Sequence, residues 1–147
     1  MPAETTFQDL SEVEIMALCL YGEARGESPV GKLAVAHVVL NRAARPGWWG
    51  KDVRSVVLKP QQFSCFNSSD PNYSKLKQQV QNWSYDPACF CVAQLALLGL
   101  TIDPTGGATH YCTVNCNATW RSELEYIKRI DGHVFYRESS ATKDSST

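Results

Sequence analysis

Apolar positions fall at helical spacing near the start of the chain. Ile15, Leu18, Cys19 and Gly22 stand at i, i+3, i+4 and i+7, one face of an amphipathic helix. Ser11 and Glu14 form a capping box ahead of them, with Leu10 and Ile15 as the hydrophobic staple. A helix is therefore predicted over residues 12–24. Ser28-Pro29 is a cap followed by proline at the first helical position, predicting a second helix over residues 30–42. Residues 33–40 of it are almost wholly apolar, which marks it as the central buried helix. A short helix is predicted over 52–58 and a polar one over 72–80. Asp86-Pro87 caps another, which runs to Leu98 and stops at Gly99.

The pattern then changes. Asp103-Pro104-Thr105-Gly106-Gly107 is a turn signal. Beyond it, residues 109–114 and 133–137 read as short strands, with Asp131-Gly132 as a turn. Residues 61–66 are too short and mixed to assign. Residues 138–147 are Ser, Thr and charges, the composition of a disordered tail. No repeat or internal boundary is visible. The expectation is one α+β domain over residues 1–137, mostly helical, with a small β-hairpin region.

At 147 residues the chain is long enough to bury a core. No apolar run approaches the roughly 18 residues of a membrane span. Residues 1–9 are polar without a basic region, so no signal peptide is expected, which favours synthesis in a reducing compartment. The net charge of -1 hides an asymmetry. Residues 1–24 hold five acids and no base, whereas residues 25–59 hold seven bases and two acids. That segment reads as a compensated surface or as a basic rim facing an anionic polymer.

Of six cysteines, Cys19 reads as core. Cys89-x-Cys91 and His110-x-Cys112-x3-Cys116 invite a zinc hypothesis, but the spacing is not the usual C-x2-C pairing. No metal and no cofactor is expected. Buried free thiols, or one bridge between Cys112 and Cys116, are the remaining readings.

The chemistry concentrates at Tyr21-Gly22-Glu23-Ala24-Arg25-Gly26-Glu27. Glu23 stands at the tail of an apolar helix, and a carboxyl group in such surroundings resists ionising. A Glu still protonated near neutral pH can give a proton to a leaving group. Gln61-Gln62-Phe63-Ser64, the Asp103–Tyr111 segment with its Gly turn, Trp120 and Gly132-His133-Val134-Phe135-Tyr136 add amides, hydroxyls and aromatic faces. Such groups suit a sugar ring, which has apolar faces and a hydroxyl rim.

In this order, the pieces resemble the spore cortex-lytic type of cell-wall hydrolase. The likeness runs through Tyr21–Glu27, Gly31, Ala34–Arg42, Gln62–Ser64, Asp103–Tyr111, Trp120 and Gly132–Tyr136, over about residues 12–137. The resemblance implies a compact fold like the lysozyme-related lytic transglycosylases, bacterial peptidoglycan as substrate, and Glu23 as the catalytic acid. It implies substrate contacts at Gln62, Phe63, Ser64, Gly107, Thr109, Tyr111, Trp120 and Tyr136. The cysteines stand outside the family pattern. A leaderless catalytic domain looks like a phage endolysin that reaches the wall after release. A monomer is expected, with no nucleic-acid partner.

Several residues carry a plain structural reading as well. Glu27 reads as a partner of Arg25 or Arg42 rather than a second catalytic carboxylate. Asn41-Arg42 either touch substrate or finish a helix. Gly106 and Gly107 permit a tight turn, and can also let backbone amides approach an N-acetyl group. Thr109 and Tyr111 share one side of a regular strand and aim into a cleft, leaving His110 on the other side as core or surface. Trp48 and Trp49 are a sugar platform or a loop anchor. His133 reads as structural.

Three functions compete. The first is a glycan-strand cleaver, favoured as a lytic transglycosylase because only one strong acid is visible; a hydrolytic muramidase is its close alternative. The second is an N-acetylmuramoyl-L-alanine amidase, with or without zinc. The third is a wall-binding module without catalysis, which leaves a Glu in apolar surroundings unexplained.

Overall fold

The computed structural model describes residues 5–45, 49–60 and 62–138. The expectations for Trp48, Gln61 and residues 139–147 lie outside the described residues. Among these residues, five α-helices and a small antiparallel sheet follow in chain order: α1 (Glu12–Ala24), α2 (Pro29–Ala43), α3 (Val53–Leu58), α4 (Tyr73–Asn82), α5 (Pro87–Leu97), β1 (His110–Thr113), β2 (Glu125–Ile130) and β3 (His133–Arg137).

The caps fall where the sequence puts them. Ser11 Oγ accepts from the Glu14 amide, and Glu14 Oε1 accepts in return from the Ser11 amide at 3.0 Å. Ser28, Asp52 and Asp86 cap α2, α3 and α5 by accepting from the amides of Gly31, Ser55 and Cys89. Each satisfies an N–H that the first helical turn leaves unpaired.

α2 is buried as expected and shares the centre with α1: Ile15 to Leu20 and Ala34 to Val39 are each buried without a break, and α2, α3, α4 and α5 all pack around α1. α2 lies beside it and carries polar groups inward. Lys32, His37 and Arg42 of α2 are all buried. They leave α2 in different directions: Lys32 Nζ donates to Arg25 O and Glu27 O, His37 meets Thr101 Oγ1, and Arg42 donates to Thr109 O, while Ala34 and Val38 join Phe135 and Ala108 in a second, smaller core.

The sheet has the order β1-β3-β2. The Asp131-Gly132 turn joins β2 to β3, and β1 lies on the other edge of β3. β2 was not legible in the sequence. Its residues are largely exposed, and a register shift between Tyr126 and Lys128 breaks the alternation that marks a strand. Asp103 builds the turn ahead of β1, accepting from the amides of Thr105 and Gly107 and from Asn41 Nδ2. Gly106 and Gly107 have φ of +70° and +101°, a region that disfavours any side chain.

Two corners tie the sheet to the helices. Asp131 Oδ2 accepts from the Ser28 amide at 3.0 Å. A Cβ on Gly31 would lie 2.4 Å from that same oxygen, so glycine is needed for the approach. Glu27 Oε1 lies 3.2 Å from His133 Nδ1, and Glu27 Oε2 accepts from the Gly132 amide at 3.4 Å. Glu27 thus pairs with the β2–β3 turn, not with Arg25 or Arg42. Arg25 donates to Asn72 and Arg42 to Thr109 O.

Candidate active site

A cleft of about 310 Å³ opens between the last turn of α1, the end of α2 and the sheet. Gly22, Glu23 and Arg42 line it from the helices, and Gln62 and Phe63 from the loop after α3. Tyr111, Cys112, Thr113 and His133 line it from the strands. It is neither the largest surface depression nor the most apolar one, but it gathers the titratable groups.

Glu23 sits on its floor, and the Tyr111 phenol donates a hydrogen bond to Oε1. Burial pushes the Glu23 carboxyl above its ordinary pKa. The bond from Tyr111 and the charge of Arg42 oppose the shift, while the charge of Asp70 adds to it. Tyr111 is itself driven well above the usual phenol range, first by burial and then by Glu23, so it remains a donor.

Arg42 is the cleft's cation, with burial lowering its pKa below the usual guanidinium value. Its Nε donates to Thr109 O at 2.8 Å and Nη1 to Gln62 Oε1 at 3.5 Å. Its guanidinium lies over the rings of Phe63 and Trp49. Arg42 therefore ties together three sequence pieces that are far apart in the chain.

Gly22 explains how the loop reaches α1. A Cβ there would lie 2.4 Å from Cys65 Sγ and 2.6 Å from Cys65 Cβ. The missing side chain lets the Phe63–Cys65 stretch lie against the helix beside Glu23.

The structure brings four of the sequence-predicted site residues together: Glu23, Gln62, Phe63 and Tyr111. The other five are not in the lining. Ser64 is exposed on a 3₁₀ turn. Thr109 is fully buried one residue before β1, with Oγ1 against His110 Nδ1 at 3.0 Å. Its amide donates to Tyr136 O on β3, and its full burial keeps its side chain out of the cleft. Gly107 spends its amide on Asp103. Trp120 packs on His110 and Tyr136, and the Tyr136 hydroxyl accepts from Arg121 Nε at 2.8 Å. These residues build the wall behind β1. Trp49 is buried against His110 and serves as an anchor.

Sequence reasoning undervalued Arg42 and His133 and missed Asp70. The charge of Arg42 in an apolar helix was the available signal. Asp70 lies in a loop with no motif, held by the Asn72 amide at 2.8 Å. Cys112 and Cys116 form a disulfide at the end of β1, and Cys19, Cys65 and Cys89 are buried free thiols. Among the described residues no three His, Cys, Asp or Glu side chains converge as a metal-ligand set. Among them, too, no helix is long and apolar enough to cross a membrane.

The profile of the cell wall hydrolase family matches residues 26–136. The chain belongs to that family. Spore cortex-lytic enzymes are similar to it: that of Halalkalibacterium halodurans is 34% identical over 126 residues, covering 85% of this chain and 34% of that protein. That of Bacillus cereus is 27% identical over 133 residues, covering 85% of this chain and 44% of that protein. The chain thus spans less than half the length of these curated relatives. Among solved structures, the catalytic domain of the germination-specific lytic transglycosylase SleB from Bacillus anthracis superimposes with a TM-score of 0.69 at 26% identity. That match covers 93% of this chain and 100% of that one. The catalytic domain of Bacillus cereus SleB gives 0.68 at 28% identity, covering 86% and 89%. The family and the mostly helical, lysozyme-like fold expected from the motifs are those found. Glu23 stands three residues ahead of the matched segment, so its role is argued from the cleft.

Proposed function

We propose that this chain cleaves the peptidoglycan glycan strand between N-acetylmuramic acid and N-acetylglucosamine as a lytic transglycosylase, with Glu23 as general acid. The observation that carries the reading is the Glu23 carboxyl: raised in pKa by burial, held by Tyr111, and the only carboxylate among the described residues that line the cleft.

The reaction balances on that one group. Protonated Glu23 delivers its proton to the glycosidic oxygen, and the bond from that oxygen to the anomeric carbon breaks. Positive charge spreads between the anomeric carbon and the ring oxygen. The 6-hydroxyl of the same muramic sugar then attacks the anomeric carbon and gives its proton back to Glu23. No water is consumed, and the acid is ready for another turnover. Tyr111 fixes the carboxyl, leaving Oε2 to carry the proton. Phe63 offers an apolar face, and Gln62, held by Arg42, offers an amide to hydroxyl or N-acetyl groups.

A second reading, hydrolysis, has one specific support: Asp70 is near enough for its charge to raise the pKa of Glu23. A hydrolase needs a second carboxylate to act as nucleophile or activate water. Glu27 and Asp103 are committed to His133 and to the Asp103 turn, away from the cleft lining.

Mass spectrometry of sugar fragments from purified walls separates the readings. The transglycosylase leaves 1,6-anhydro ends, one water lighter than reducing ends. Reducing ends only, with Asp70→Asn as damaging as Glu23→Gln, establish hydrolysis instead. Intact glycan with new free alanine amines establishes an amidase, and loss of that activity to a strong chelator makes it a metal-dependent one.

A further inference from the structure

The connection between α4 and α5 carries an aromatic platform that the cleft chemistry does not use. Trp83 ends α4 with φ 50° and ψ 43°, in the left-handed region. Glycine or asparagine is the usual residue there, because a Cβ is strained in that conformation. The indole gains little packing in return. It is 77% exposed, and its nearest ring is Tyr85, edge-on at 6.4 Å. The fold therefore carries a strained residue whose large apolar face meets solvent, a combination that points to a ligand.

The platform is held firmly. Tyr85 donates to Glu14 Oε2 at 2.7 Å, and its ring lies 5.6 Å from that of Phe90. Gln79 Oε1 accepts from the Asp86 amide, which fixes the connection itself. On one side of Tyr85 and Pro87 lies a shallow aromatic depression with Trp83 and Phe90. On the other lies a polar cleft with Lys75, Gln78, Asn82 and Ser84. Tyr21 closes that cleft from α1, two residues before Glu23. The last turn of α1 thus borders both the polar cleft and the catalytic one.

We propose that this platform and cleft form a second glycan-binding site, which holds a peptidoglycan strand while Glu23 acts on it. The inference rests on the proposed glycan-cleaving function. The occupant follows from the chemistry. An N-acetylated amino sugar has an apolar face for the Trp83 indole and a hydroxyl and amide rim for Gln78, Asn82 and Ser84. Lys75 supplies a cation for the carboxylates that muramic sugars and stem peptides carry, while the Asp86 carboxylate in the same lining accepts from the Cys89 amide.

The test uses Trp83→Asn, which removes the indole and places a residue suited to the left-handed cap, so that stability is maintained. In a Glu23→Gln background, which blocks cutting, cosedimentation with purified sacculi should weaken about tenfold, the scale of one stacked aromatic contact. With Glu23 intact, Trp83→Asn should slow cutting of sacculi while leaving turnover of a soluble muropeptide dimer unchanged. Equal sacculus binding by Trp83→Asn and its parent overturns the platform, even if the chain cuts walls. Trp83-dependent binding by a chain that releases no wall fragments overturns the catalytic reading instead and keeps the platform.

Discussion

Tyr111 and Glu23, 88 positions apart in sequence, meet through a hydrogen bond from the phenol to the carboxyl. This contact and burial act on the Glu23 carboxyl in opposite directions. Burial raises the Glu23 pKa, and the phenol holds the rise in check by favouring the charged form.

Tyr111→Phe removes that check, so the Glu23 pKa should rise further. On the proposed mechanism, activity needs protonated Glu23 and is lost as pH rises through its pKa. The alkaline limb of kcat/KM should therefore move to higher pH in the variant. The plateau should fall, because the carboxyl loses its orienting bond. A hydrogen bond to a charged group is worth about 1.5–3 kcal/mol, so a loss of about tenfold or more is expected. Rate profiles of wild type and variant on one soluble wall fragment read both effects. A limb that stays in place or moves to lower pH contradicts the account.

Gly22→Ala should destabilise the protein by about 1–3 kcal/mol, the usual range for overpacking a core. The new methyl meets both Sγ and Cβ of Cys65. Only Cys65→Gly clears both contacts, so the double variant should lose less stability than the two single losses added together. Urea melts of the four proteins measure this. Strict additivity would remove Cys65 as the reason for glycine at position 22.

Stability should increase with pH between about 4 and the ordinary histidine value of 6.5. Burial, helped by the charge of Arg42, depresses His110 to about 4. The folded state thus favours neutral His110. Its contribution is complete above 6.5 and is lost as pH falls through the folded value. His37 and His133 are also depressed by burial and act in the same direction. Glu23 acts in the opposite direction, since a raised carboxyl loses its contribution as pH rises. Replacing His110 by Phe keeps a ring between Trp49 and Trp120 and should flatten the slope. Chemical melts across this window give the two slopes directly.

The cysteines should separate into three classes on alkylation. Cys91 is exposed and reacts in the native protein. Cys19, Cys65 and Cys89 are buried, their thiols pushed up by burial, and react after unfolding. Cys112 and Cys116 react only after reduction. Peptide mass mapping at each step assigns the classes. So short a bridged loop contributes about 2 kcal/mol on the loop-closure model, so reduction should lower the melting temperature modestly.

The helices and their caps were legible because Ser11, Ser28, Asp52 and Asp86 act within their own turn. Glu23 stands out in the sequence because the apolar run ahead of it, Ile15 to Tyr21, lies in its own helix. The partners of distant residues were not legible. Glu27 meets His133 because the Asp131-Gly132 turn folds back on α2, and no local spacing encodes that return. Strand alternation pairs Thr109 with Tyr111, but only Tyr111 reaches the cleft, because tertiary packing buries Thr109 fully beside His110. Asp70 influences Glu23 from a loop where only tertiary packing sets its place. β2 escaped notice because its bulge and exposed face erase the period of two.

The most direct measurement is the release of soluble fragments from purified walls by Glu23→Gln beside the wild-type protein, with far-UV circular dichroism confirming that both are folded. The amide keeps the shape of the side chain and the bond from Tyr111 but has no proton to give. General acid catalysis contributes about 10²–10⁴-fold, and the account predicts a loss of at least that order. A folded Glu23→Gln protein that still releases fragments at near the wild-type rate would contradict it.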